Sequence, residues 1–313
     1  MTRFSRFTNH RQLALAAGLA LTLGACDPPR RDRPEIATTP AKEPEVVQAG
    51  GLPPAAPAPP EPVARAATYE EAESVFKSGK YGEAKQLFET YVANKPDNPW
   101  GHYMLGLAAW KSGHFVVSER AFDRALEIDS TNVKTYLNSA RLLLDLDRHH
   151  EALDRITTAL RLDSTSSDGL RLLARTHAKL GDVEAALNDY RKALVLDDKD
   201  VWAMNNLGVL YLEEGNPDAA VGPFARAVQL RSTAPLFQNN LGMALEKAGQ
   251  TVAAKHAYQA AVEADSTYAK AVKNLERISA LVSDQAVDGG EFVKEQAEVF
   301  RIQIQMWKDG VER

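Results

Sequence analysis

One side-chain pattern recurs six times in this chain at a period of 34 residues. A small residue returns as Ala84, Ser118, Ala152, Ala186, Ala220 and Ala254. Four positions later comes a large apolar side chain: Phe88, Phe122, Ile156, Tyr190, Phe224 and Tyr258. Three further on stand Tyr91, Ala125, Ala159, Ala193, Ala227 and Ala261. A turn residue keeps the same beat as Gly79, Gly113, Asp147, Gly181, Gly215 and Gly249. Offsets of four and three place side chains on one face of a helix. Each unit therefore reads as two helices joined by a tight turn. Small residues let the helices approach, and the aromatic fills the gap between them. One such hairpin cannot bury its apolar face alone, but a stack of them can.

The period and its small–large–small signature resemble the tetratricopeptide (TPR) repeat. The likeness covers six units, roughly 65–98, 99–132, 133–166, 167–200, 201–234 and 235–268. It implies an all-α fold: a right-handed TPR superhelix, or α-solenoid, of six helical hairpins plus capping helices. In that family the first helices line a groove that takes extended peptides or a partner helix. By position the groove here holds Tyr69, Tyr103, Leu107 and Trp110 at an apolar end, then Arg141, Arg171, Arg175 and Lys179, then Asn205, Asn239 and Met243. The resemblance implies a protein or peptide partner. Apolar anchors fit the first group. Acidic side chains or a terminal carboxylate fit the cations. The asparagines can bond a peptide backbone.

The N-terminus is set aside from the fold. Arg3, Arg6 and Arg11 precede a short apolar run, Leu13 to Leu23, too short to span a bilayer comfortably. It ends in Leu23-Gly24-Ala25-Cys26, which resembles the bacterial lipobox, and Cys26 is the single cysteine of the chain. The resemblance implies a signal peptide over 1–25, acylation of Cys26 and attachment to the lipid bilayer. Two or three acyl chains hold firmly where one holds weakly. A lone cysteine rules out an intrachain disulfide. From 26 to 67 the chain reads as a tether, because eleven of its sixteen prolines lie between Pro28 and Pro62. Such composition favours extended polyproline II stretches and cannot form a core. Signal, anchor and repeats together resemble the TPR lipoproteins of pilus assembly, secretin pilotins among them. The expected location is the bacterial cell envelope, facing the periplasm, with inner and outer membrane both open.

Some positions depart from the pattern. In unit three, Ser139 replaces a large apolar residue and Asp147 replaces the turn glycine, so a looser or kinked array is expected there. Pro223 is expected near the tolerated early positions of its helix, or at a mild kink. Residues 269–283 read as a capping helix with a polar outer face. Residues 284–313 read as a C-terminal amphipathic helix whose apolar residues spread too widely for one narrow stripe. Packing on the array is the favoured expectation for it. The groove and a partner contact stay open.

Composition narrows the function. A net charge of -5 and a pI near 5.9 give no electrostatic support for nucleic-acid binding. The histidines lack the spaced partners of a metal site, and the glycines mark turns rather than a phosphate loop. No cofactor and no catalytic motif is expected. The expectation is a membrane-anchored scaffold or adaptor binding envelope proteins. The alternative is an architectural or regulatory spacer for cell-wall enzymes that works through its convex face or C-terminal helix.

Overall fold

The structure, a computed structural model, describes residues 67–281 and 289–310. The signal, Cys26 and nearly all of the proline-rich tether lie outside the described residues. Within them the chain is all-α, with fourteen helices and no strand. They come as hairpins: α1 and α2 (Tyr69–Lys77, Tyr81–Asn94), α3 and α4 (Pro99–Lys111, Phe115–Ile128), α5 and α6 (Val133–Asp145, His149–Leu162), α7 and α8 (Ser167–Leu180, Val183–Leu196), α9 and α10 (Val201–Glu213, Pro217–Leu230), and α11 and α12 (Pro235–Lys247, Thr251–Ala264). Two further helices follow, α13 (Ala269–Ser279) and α14 (Gly289–Lys308).

Local chemistry sets the boundaries. Thr68, Asn98, Asn132, Ser166 and Asp200 each accept a backbone N–H from the first turn of the helix they precede. Thr68 and Glu71 complete a reciprocal capping box. At the far end of each first helix the chain must reverse within a few residues, which needs a left-handed residue. The five turn glycines supply it with φ between 72° and 83°. Asp147 adopts the same region at φ 57°.

Unit three therefore keeps the hairpin geometry despite its irregular sequence. Its helices match those of unit two in length, 13 and 14 residues. Ser139 is buried without disturbing them. Pro223 does not lie at an early position: it is the seventh residue of α10, in the helix interior, and it is buried.

The repeated residues are the core. Ala84, Phe88, Phe122, Ala152, Ile156, Ala159, Ala186, Ala193, Ala220, Phe224, Ala254 and Tyr258 have no exposed surface. Successive first helices touch one another all the way from α1 to α13, whereas successive second helices do not. The first helices thus form one continuous wall, and the second helices stand apart behind it.

The longest helix, α14, fills that outer side. It packs against α12, α10 and α8, opposite the first-helix wall and away from the groove. Ala297, Phe300, Ile304 and Trp307 are its buried residues, and Val293 packs beside them. Their spacing of four and three is a single narrow stripe. The apolar residues that widened the pattern, Val299 and Ile302, face solvent.

Candidate functional site

The wall of first helices brings the expected groove residues into a row, and it treats its three stretches differently. The first stretch is aromatic and partly open. Trp100 stacks on Tyr103 with ring centres 4.6 Å apart and remains 40% exposed. Tyr69 meets Phe88 and Tyr91 edge-on. Leu107 and Trp110 are half-buried. Tyr103 is buried, which raises its phenol pKa, and its hydroxyl accepts from the Asn138 amide at 2.9 Å.

The middle stretch is a ladder of ion pairs. Arg141 and Arg171 both bind the Asp168 carboxylate. Arg171 also reaches Asp200 at 2.9 Å. Arg141 donates to Asn138 Oδ1 at 2.7 Å. Arg175 approaches Asp145 at 3.7 Å, and the Trp110 indole N–H donates to the same carboxylate at 3.1 Å. Each of these arginines has an aspartate partner, so this stretch carries far less net charge than its cations alone suggest. Lys179 is exposed and forms no ion pair among the described residues. The aspartates were missed in sequence because they sit at helix ends. Asp200 caps α9, Asp168 lies in the first turn of α7, and Asp145 ends α5.

In the third stretch the asparagines are engaged between helices. Asn205 is buried and accepts from Asn240 at 2.8 Å. Asn239 is buried and accepts from Asn274 at 2.9 Å, while its own amide points at the half-buried Met243 sulfur, 3.5 Å away. With Asn138 and Tyr103, three such bonds join residues 35 apart. Each crosses from one first helix to the next. Asn206, Asn240 and Asn274 recur at the repeat period, which was the available sequence signal. At the end of the row, Glu246 accepts from the Tyr258 hydroxyl at 2.9 Å and is held by Arg277, which keeps its carboxyl below the usual range.

The outer side offers a second surface. Arg191 lies 5.6 Å from the Trp307 ring centre, and Lys308 pairs with Asp198 at 2.6 Å. A cavity of about 390 Å³ lies between α10, α12 and the start of α14, and one of about 480 Å³ lies beside Trp307. Among the described residues no three His, Cys, Asp or Glu side chains gather where they could hold a metal ion. No described helix is long and apolar enough to cross a membrane.

Family models described as tetratricopeptide repeat match residues 69–133, 137–201, 171–235 and 237–276. No curated protein matches the sequence. Among solved structures, a thermophilic TPR protein of Thermus thermophilus is 19% identical, with a TM-score of 0.52 over 59% of this chain and 100% of its own. PilF of Pseudomonas aeruginosa is 18% identical, with a TM-score of 0.52 over 68% of this chain and 92% of its own. The APC/C hetero-tetramer Cut9-Hcn1 gives 18% identity and a TM-score of 0.55, over 72% of this chain and 48% of the matched one. At these identities the likeness concerns the fold.

Proposed function

The chain belongs to the tetratricopeptide-repeat family, and from that premise we propose that it is a non-catalytic scaffold whose first-helix wall binds an extended segment of a partner protein in the bacterial cell envelope. Acylated Cys26 ties it to a membrane, and the proline-rich stretch holds the repeats away from the surface. The wider setting is assembly of a pilus or secretion complex.

The observation that carries this reading is the open aromatic end of the wall. Trp100 is 40% exposed although it stacks on Tyr103, and Leu107 and Trp110 continue the apolar surface beside it. Partly exposed aromatics clustered on a rigid surface are the usual anchors of protein recognition. The neutralised arginine ladder next to them suits a partner of mixed polarity better than a strongly acidic one. Replacing Trp100 with Ser and Leu107 with Asp tests this. Crosslinked partners recovered from the native envelope should be lost while helicity and melting temperature hold. Unchanged capture by a folded variant sinks the reading. For the anchor, Cys26→Ser should yield protein that no longer sediments with membranes.

A second reading places a spacer's contacts, including any with cell-wall enzymes, on the outer side. It is favoured by Val299 and Ile302, which stay exposed on α14 after its other stripe is buried. Their replacement by Ser and Gln separates the two readings. It should leave capture intact if the wall binds the partner.

A further inference from the structure

On the outer side, α14 ends against α8 and borders a cavity of about 480 Å³ beside Trp307. Leu170 of α7, Val195 and Leu196 of α8 and the Trp307 ring form its apolar walls, and Leu196 remains 47% exposed. Arg191 and Lys192 line it too, and no described carboxylate does. Lys192 is already engaged. Its ammonium lies 3.1 Å from the buried Asp189 carboxylate, which also meets His177 at 2.9 Å. Arg191 is not engaged in this way. Its Nε is buried with no hydrogen-bond partner, and the guanidinium forms no ion pair among the described residues. Its one close partner is the Trp307 ring. The reason lies in the helix register. Arg171 and Arg301 pair with Asp168 and Glu298, the acids three residues before them. Three residues before Arg191 stands the neutral Asn188, where the preceding unit has Asp154. A cation partly stripped of water with no protein acceptor is costly, and such groups normally find a partner.

We propose that this cavity binds an aliphatic monocarboxylic acid, with its carboxylate on the terminal nitrogens of Arg191 and its chain against Leu170, Val195, Leu196 and Trp307. An apolar cleft with one or two placed polar groups is the usual form of a small-molecule site. The room is that of roughly sixteen waters at about 30 Å³ each, which suits a chain of about eight to ten carbons. One available cation matches a singly charged head and disfavours a doubly charged phosphate monoester. The exposed Leu196 marks the side from which the chain enters. The site lies on the outer side, so it is independent of what the first-helix wall binds.

The test titrates octanoate, below its micelle concentration, into the isotope-labelled full chain and follows the indole N–H signals by NMR. The chain has four tryptophans, so each signal is readily followed. Trp307 should shift, while Trp100, Trp110 and Trp202 should not. Propionate lacks the chain and octanamide lacks the charge, so each should bind about tenfold more weakly. Arg191→Met keeps an apolar stem and should weaken octanoate binding by about tenfold, the loss expected for a hydrogen bond between charged groups. Asn188→Asp, at an exposed position, gives Arg191 the missing acid and should weaken binding in the same way without touching the walls or the fold. No shift at Trp307 overturns the site, as does unchanged octanoate affinity in Asn188→Asp. Octanamide binding as tightly as octanoate removes the role of Arg191. Tighter binding of N-acetyl-leucyl-leucine than of octanoate overturns the aliphatic acid in favour of a peptide end. Each of these results leaves the wall as a partner site untouched, because partner capture tests that separately.

Discussion

At the scale of single residues, two positions show how far the repeat tolerates exceptions. Asp147 does a glycine's work at φ 57°. A left-handed backbone is strained for a side chain with a Cβ, though least for Asp and Asn. Asp147→Gly should therefore stabilise the chain by about 0.5–1 kcal/mol, and Asp147→Val should destabilise it by about 1–2 kcal/mol. Urea denaturation of the two variants reads both signs. Gly208 is the opposite case, since a Cβ there would meet three Phe224 ring atoms at 2.7–2.8 Å. Gly208→Ala gains helix propensity of about 1 kcal/mol but should still lose about 1–2 kcal/mol net through overpacking. Phe224→Ile should rescue it in a double-mutant cycle, because it removes the ring atoms that the added methyl would meet. Additive effects of the two changes would remove this account. The residues at 34-residue spacing were legible because each does one packing job six times. The ion-pair ladder was not legible. A sequence shows that Arg141, Arg171 and Arg175 are present, but Asp145, Asp168 and Asp200 reach them only after neighbouring helices stack.

At the scale of elements, α13 is held to the array by polar contacts as much as by its small apolar face. Asn274 bonds Asn239, Arg277 grips Glu246, and Ala271 and Ile278 are the buried residues. The folded Glu246 carboxyl titrates below its unfolded value, first because of the Arg277 hydrogen bond. The contact's stability is thus present above the unfolded carboxylate pKa of about 4.3 and is lost as pH falls through the lower folded value. Hydrogen exchange of α13 amides should accelerate in that acid window before exchange in α9 does. Arg277→Met should flatten the response, and an unchanged acid response in that variant refutes the coupling. The place of α14 was harder to read, although a signal existed. Outer positions of the second helices are Lys85, Gln86 and Glu89 in unit one and Lys255, His256 and Gln259 in unit six. In unit five they are Val221, Gly222 and Ala225, an apolar patch that needs a cover. A Cβ on Gly222 would stand 3.3 Å from Phe300 Cβ, so the glycine lets α14 approach closely. A repeat-by-repeat reading treats such departures as noise. Comparing equivalent outer positions turns them into a docking site for the helix that follows.

At the scale of the whole repeat region, α14 changes how stability is shared. In a stack where each unit touches only its neighbours, unfolding can start anywhere and spread one unit at a time. The helix crosses α12, α10 and α8, so it joins units four, five and six by contacts that chain order alone does not provide. The buried apolar side chains divide accordingly. One cluster centres on Phe88 and Phe122, a small one on Ile156, and a large one runs from Ala174 through Tyr258 to Trp307. Units four to six with α14 should therefore open as one cooperative block. Ending the chain after Leu281 would remove one wall of the cavity lined by the buried Ala225, Val228, Ala253 and Ala257 and so expose them. Phe300→Ala in the intact chain should cost about 3–5 kcal/mol within that block. Under mild urea, hydrogen exchange of α8, α10 and α12 should accelerate together in both variants, while α2 to α4 keep their protection. Equal acceleration along all six units would mean that α14 is a passenger on a uniform stack. Block-wise opening would mean that the C-terminal helix makes half of the wall rigid and leaves the aromatic end freer to adjust to what it binds.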